Sequence, residues 1–205
     1  MLNQLRPALS RVTSPVGQAL ARTGVTPNTI TIIGTFGVVA GALGFYPFGQ
    51  FFWGTIVITI FVFFDLFDGA VARVTGRTSR FGAFLDSNMD RVSDAAIFTG
   101  LILRFATKDH NDMLLVCLAL VCLISGALVS YARARAEGMG LNATIGIAER
   151  GERLIVSLVA IGLAGLGVPY VLAAGLWVLS VASLITVAQR YVAVRRQLVE
   201  AGEHA

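Results

Sequence analysis

Long apolar runs alternate along this chain with short clusters of arginine, and the clusters divide it. From Arg22 to Asp65 there are 42 consecutive uncharged residues, about twice the roughly 20 that one membrane helix needs. Tyr46-Pro47-Phe48-Gly49-Gln50 breaks that run in two. Between Asp112 and Arg133 lie 20 more uncharged residues, and between Arg153 and Arg190 another 36, divided at Gly165-Leu166-Gly167-Val168-Pro169. The segment from Phe81 to Ala106 has a span's length and is apolar, yet it carries Asp86, Asp90, Arg91, Asp94 and Arg104. The pattern predicts six transmembrane helices, at 29–46, 52–75, 81–106, 112–136, 148–165 and 169–192. The first 22 residues instead set Leu2, Leu5, Leu9, Val12, Val16 and Leu20 among Arg6, Arg11 and Arg22, the pattern of an amphipathic helix lying on a membrane surface. No repeat or low-complexity linker interrupts the chain. Residues 1–205 therefore read as a single all-α integral membrane domain, an interfacial helix at 1–22 followed by a six-helix bundle at 29–192.

Composition agrees. The chain is 56% hydrophobic and 14% charged with a mean hydropathy of +0.76, where soluble domains run at about 45–50% and about 25%. Disordered, collagen-like and disulfide-rich classes are excluded, and a soluble enzyme is disfavoured. Cys117 and Cys122 fall in one apolar run, on different helix faces, and read as small buried hydrophobes. The formal charge is +4, and 15 of the 16 basic residues are arginine. That charge suits an anionic membrane surface or an anionic substrate; no soluble basic face for nucleic acid is present. With both termini inside, 14 basic residues fall on the inner side and two, Arg104 and Lys108, on the outer, the asymmetry that fixes orientation in bacterial membranes.

Four carboxylates stand where a bilayer disfavours them. Asp65 and Asp68 are three apart on the second helix, Asp86 and Asp90 four apart on the third, so each pair occupies one helix face. The connection centres near Arg77, and in an antiparallel hairpin the two pairs are level, about 13 Å from the turn. Four converging negative charges must be protonated, paired with arginine or bound to divalent cations. Oxygen-only ligands favour a hard cation, Mg²⁺ or Mn²⁺, and four carboxylates suit a two-metal site able to clamp a diphosphate. Gly69 and Gly82 leave room beside the acidic faces, and Arg73 stands one turn from Asp68.

In order these residues are Asp65-Leu-Phe-Asp68-Gly69-Ala-Val-Ala72-Arg73, eight residues, then Gly82-Ala-Phe-Leu-Asp86-Ser-Asn-Met-Asp90. The stretch resembles the signature of the CDP-alcohol phosphotransferase family, D-x2-D-G-x2-A-R-x8-G-x3-D-x3-D, without departure. The resemblance implies transfer of a phosphatidyl group from a CDP-linked lipid to an alcohol, with release of CMP, in a polar metal-binding cavity on the cytoplasmic side. It implies that Asp65, Asp68 and Asp86 ligate two Mg²⁺ ions (Mn²⁺ as a substitute), Asp65 and Asp86 bridging both. Asp90 would ligate the second ion and serve as the base for the acceptor hydroxyl. The CDP-lipid would meet Gly69, Arg73, Ser79 and the turn Pro27-Asn28-Thr29-Ile30-Thr31. Read alone, Asn28 and Thr31 are equally candidates for a helix cap. A homodimer in the bacterial plasma membrane is the assembly implied.

Arginines at inner helix ends are what membrane orientation alone predicts. Arg133, Arg153 and Arg190 nevertheless fall at three such ends and together could bind the phosphate of an acceptor. Glu149 and Glu152 would hold or neutralise them. Within the family, the actinobacterial phosphatidylinositol phosphate synthases carry Ser-Tyr-x-[Lys/Arg]-Ala-Arg-Ala-Glu and Glu-Arg-x-Glu-Arg stretches, which stand here at Ser130 to Glu137 and Glu149 to Arg153. The expected reaction joins CDP-diacylglycerol and inositol 1-phosphate. The alternative acceptor is sn-glycerol 3-phosphate, as in a phosphatidylglycerophosphate synthase, and a remote alternative is a divalent-metal transporter.

Overall fold

A computed structural model describes residues 24–75, 79–107 and 111–202, and for 65–75 the backbone alone. The expected interfacial helix at 1–22 lies outside the described residues. Among the described residues six α-helices follow one another: α1 Pro27–Phe45, α2 Phe51–Thr75, α3 Arg80–Phe105, α4 Met113–Gly138, α5 Arg150–Gly165 and α6 Val171–Glu200, with a 3₁₀ turn Tyr46–Phe48 between α1 and α2. By length and composition, Pro27–Phe48, Met113–Gly138 and Val171–Glu200 can each cross a membrane, and Phe51–Phe64 is a shorter apolar stretch. The helix ends agree with the expected spans to within two residues except at the C-terminus. There α6 runs on to Glu200, past the expected 192, because nothing between Arg190 and Gly202 breaks a helix and Gln197 is held by tertiary hydrogen bonds.

The chain forms two compact units, Met1–Gly100 and Leu101–Ala205, and α3 runs from one into the other. In the first, α1 packs along α2. Small residues make this possible: a Cβ on Gly37 would lie 2.2 Å from the Phe61 ring, and one on Gly41 would lie 3.0 Å from the Ile58 side chain. Where apolar chains surround the protein on all sides, such close backbone approach supplies the packing attraction that the hydrophobic effect does not. Tyr46 is fully buried; its hydroxyl pairs with that of Thr55 at 3.0 Å. Many large apolar side chains, including Phe36, Phe48, Trp53 and Phe84, are exposed, the surface a lipid environment tolerates.

In the second unit α6 packs against both α4 and α5. The seam is lined by small, buried polar residues: Cys122 and Ser125 on α4, Ser157 on α5, Ser180, Ser183 and Thr186 on α6. Cys122 bonds the Ser180 hydroxyl at 3.3 Å. Cys117 is exposed rather than buried, a consequence of pointing away from this seam. Asp112 caps α4, its carboxylate accepting from the Leu115 amide at 3.1 Å.

Candidate active site

The α2–α3 hairpin carries the acidic signature. Asp65 and Asp68 lie in the last three turns of α2, Asp86 and Asp90 in the second and third turns of α3. Asp68 is about 10 Å of helix from the end of α2 and Asp86 about 9 Å from the start of α3. Counted along the helices, the two pairs lie at nearly equal distances from the connection. The side chains of Asp65, Asp68, Gly69 and Arg73 lie outside the described residues. Asp86 is half-buried and meets neither a hydrogen-bond donor nor a cation among the described residues. Asp90, its side chain 15% exposed, lies 3.6 Å from the Arg91 guanidinium. A half-buried carboxylate with no counter-charge among the described residues, one turn from a second carboxylate, fits a cation-binding role.

The turn before α1 settles how its polar residues divide. Thr26 is the N-cap: its hydroxyl accepts from the Thr29 amide at 3.3 Å and pairs with the Thr29 hydroxyl at 2.9 Å. Pro27 occupies the first helical position, where a missing N–H costs nothing. Thr31 is buried and donates to the Pro27 carbonyl at 3.2 Å, and the Ile30 side chain is in the core. Asn28 is thus released from capping, and its side chain reaches the start of α3. There Ser79 caps α3, accepting from the Gly82 amide at 2.9 Å. A Cβ placed on Gly82 would lie 3.1 Å from the Ser79 Oγ and 3.2 Å from the Asn28 Oδ1. Two of the residues that the family resemblance assigns to the nucleotide, Asn28 and Ser79, are therefore brought together over a position that must stay small. On the role that the resemblance implies, Gly82→Ala should raise the KM for the CDP-lipid about fivefold or more, the order of an overpacking cost of about 1 kcal/mol, with the KM for the acceptor unchanged when CMP release is measured.

In the second unit, the three arginines gather. Arg190 is 3% exposed and Arg153 5%. Arg133, Arg153, Glu149 and Glu137 are the charges whose fields reach Arg190. Arg190 donates from Nε to the Ile145 carbonyl at 2.9 Å and from Nη1 to the Val129 carbonyl. Arg153 donates from Nη1 to the Ala148 carbonyl at 3.2 Å and packs on Gly126, where a Cβ would lie 3.4 Å from its Nε. Arg133 is half-exposed and pairs with Glu137 at 2.8 Å. A guanidinium has five N–H donors; beyond the two bonds to carbonyls, Arg190 meets no acceptor among the described residues.

The sequence pattern of the CDP-alcohol phosphatidyltransferases matches residues 24–188, most of the chain and all of the acidic signature. The chain belongs to this family. It is 52% identical to the phosphatidylinositol phosphate synthase of Streptomyces avermitilis, over 98% of this chain and 85% of that protein. It is similar in structure to the crystal structure of Mycobacterium tuberculosis phosphatidylinositol phosphate synthase with CDP-DAG bound, at 44% identity and a TM-score of 0.85, covering 90% of this chain and 94% of the other. It is also similar to the same enzyme in complex with manganese and citrate, at 44% identity and a TM-score of 0.84, covering 89% and 88%.

In this CDP-alcohol phosphatidyltransferase several residues that shape the arginine cluster carry no charge and belong to no signature. Ile145 and Ala148 contribute only backbone carbonyls, Gly126 only the absence of a side chain, and Thr186 a hydroxyl that accepts from the Ala148 amide at 3.0 Å. Sequence reasoning had no pattern by which to find them. The one available signal is the polar break Asn142-Ala143-Thr144 between two apolar helices.

Proposed function

We propose that this transferase moves the phosphatidyl group of CDP-diacylglycerol to a hydroxyl of inositol 1-phosphate, giving phosphatidylinositol phosphate and CMP. The observation that carries the acceptor assignment is the pair of buried guanidiniums, Arg153 and Arg190, with Arg133 in their field. Backbone carbonyls hold both guanidiniums in place without neutralising them, and a phosphate is the anion whose geometry the guanidinium fork matches. An acceptor without a phosphate would leave that arrangement unexplained. The names of the similar proteins point to the same acceptor.

In this reading Asp65, Asp68, Asp86 and Asp90 hold two divalent cations, Mg²⁺ with Mn²⁺ as a substitute. Bound there, the ions supply Lewis-acid polarisation of the diphosphate and neutralise charge gathering on it. Asn28, Ser79, Gly69 and Arg73, with the backbone of Thr29 to Thr31, hold the CDP moiety, and Arg133, Arg153 and Arg190 hold the acceptor's phosphate. Asp90 takes the proton of the acceptor hydroxyl, whose oxygen bonds to the phosphorus nearest the diacylglycerol as that phosphorus's bond to the CMP oxygen breaks. All six helices cross the membrane, with both termini and the site on the cytoplasmic face. We read residues 1–205 as one domain because a single family pattern matches residues 24–188, and the working form as a homodimer.

The test is CMP release by the purified protein with CDP-diacylglycerol and Mg²⁺, offering inositol 1-phosphate, sn-glycerol 3-phosphate, inositol and serine in parallel. Release with inositol 1-phosphate alone is expected. Release with glycerol 3-phosphate instead would keep the chemistry and overturn the acceptor.

A further inference from the structure

Between α4 and α5 the chain crosses residues 141–149 without regular structure. Connections of this kind usually run free over a surface; this one is laced to α6 at three points. The Gln197 side-chain amide pairs with both backbone groups of Asn142, accepting from its N–H at 2.9 Å and donating to its carbonyl at 2.6 Å. Arg190 donates to the Ile145 carbonyl at 2.9 Å. Thr186 accepts from the Ala148 amide at 3.0 Å while donating to the Ala182 carbonyl at 2.8 Å. As the segment advances from 142 through 145 to 148, its partners retreat from 197 through 190 to 186. The connection therefore runs antiparallel along α6. The helix rise from 186 to 197 is about 16 Å, and six residues of near-extended chain reach about 20 Å, so the two match in length. Positions 186, 190 and 197 are four and seven apart, one stripe of the helix.

Within the segment the Asn142 side chain accepts from the Thr144 amide at 2.9 Å and the Thr144 hydroxyl at 2.6 Å. Ala143 and Ala148 are buried. Gly146 holds φ at 154°, in a region only glycine adopts comfortably, and a Cβ there would lie 2.3 Å from the Thr186 Cγ2. The strap backbone thus passes close against the Thr186 methyl.

We infer that Thr186, Gln197 and Gly146 are positioning residues for the acceptor's phosphate: they lock the 142–148 strap so that the Ile145 and Ala148 carbonyls fix the guanidinium planes of Arg190 and Arg153. The inference rests on the arginine-pocket reading above and goes beyond it, because none of the three residues touches the acceptor. The strap acts through carbonyl oxygens, which orient a guanidinium without neutralising it. A carboxylate in their place would hold the arginines equally well and compete with the phosphate.

The test uses the full-length enzyme and reads the KM for each substrate with kcat and thermal stability. Thr186→Val keeps the side chain's shape and removes the acceptor for the Ala148 amide; Gln197→Leu removes both bonds to Asn142. Thr186→Val is expected to raise the KM for inositol 1-phosphate about tenfold, the scale of one buried polar group left unpaired, and Gln197→Leu, whose bonds are exposed, about threefold, the scale of an ordinary net hydrogen bond, each with the KM for CDP-diacylglycerol unchanged. Thr186→Ser, which keeps the hydroxyl, should behave as wild type. Gly146→Ala should raise the acceptor KM as well, and adding Thr186→Ser, which removes the clashing methyl, should recover part of the loss. Unchanged acceptor KM in Thr186→Val and Gln197→Leu would overturn the proposal. So would a rise in both KM values together with a lower melting temperature, the mark of a merely structural role. Failure of the acceptor reading appears elsewhere, as wild-type enzyme that ignores inositol 1-phosphate; the same variants are then read against whichever phosphorylated alcohol releases CMP.

Discussion

Asp90→Asn abolishes turnover and leaves CDP-diacylglycerol binding largely intact. The substitution changes neither size nor helix position, so the third turn of α3 keeps its form, and the side chain keeps one oxygen. What it loses is the ability to take a proton. A positioned general base contributes about 10²- to 10⁴-fold, and a fall in kcat of that order, with nucleotide-lipid affinity within a few-fold of wild type, is the expected result. Because Asp90 is also a proposed cation ligand, the assay is repeated across a Mg²⁺ titration. A defect that excess metal repairs would assign Asp90 to metal holding alone, and near-normal turnover would remove it from the chemistry.

The second large effect is at Arg190. Its guanidinium joins α6 to the strap through Ile145 and to α4 through Val129, the carbonyl one turn before Arg133. Arg190→Ala deletes a buried charged donor, a change that costs about 2–5 kcal/mol at a desolvated charge contact. A rise of about a hundredfold in the acceptor KM follows by the usual conversion, with the KM for CDP-diacylglycerol unchanged. Arg190→Lys restores the charge without the planar fork. An ammonium cannot hold one carbonyl on the strap and another on α4 and still present an edge to phosphate, so recovery is partial. Full recovery by lysine would mean that only charge matters there, and an unaltered acceptor KM in Arg190→Ala would remove this residue from the pocket.

Much of this was legible in the sequence, for identifiable reasons. Uncharged runs and their Gly/Pro breaks located five of the six helices because burial in lipid demands apolarity over a fixed length, while α3, which carries Asp86, Asp90, Arg91, Asp94 and Arg104, was placed by its length and overall apolarity. The aspartates were legible because acidic pairs at helical spacing have no cheap reason to sit in such a run. The end of α6 was missed because apolarity stops at Arg190 while the helix persists to Glu200, held by Gln197, whose partner is 55 residues away. The cap of α1 was open between Asn28 and Thr31, and the helix uses Thr26; capping preferences rank these residue types almost equally, and only the approach of α3 distinguishes Asn28. The arginines illustrate the deepest limit. Membrane orientation places arginine at inner helix ends whatever its task, and nothing in the sequence separates half-exposed Arg133 from buried Arg153 and Arg190. The difference is made by backbone carbonyls and a glycine, which leave no pattern of residue types to read.

The length of α6 bears on how such an enzyme tells its substrate from its surroundings. Thirty helical residues extend about 45 Å, while the hydrocarbon layer is about 30 Å thick. With α6 crossing the layer as proposed, roughly ten residues are left over, enough to carry the strap to the depth of the lipid headgroups. Phosphate is abundant there, but it is tethered: each headgroup is confined to the plane of the leaflet and arrives with two acyl chains. Arginines standing open at that level would be occupied by bulk lipid. Arg153 and Arg190 are instead buried and held by the carbonyls of a pinned segment, so on the proposed reading a small untethered phosphate is favoured by access before affinity is called upon.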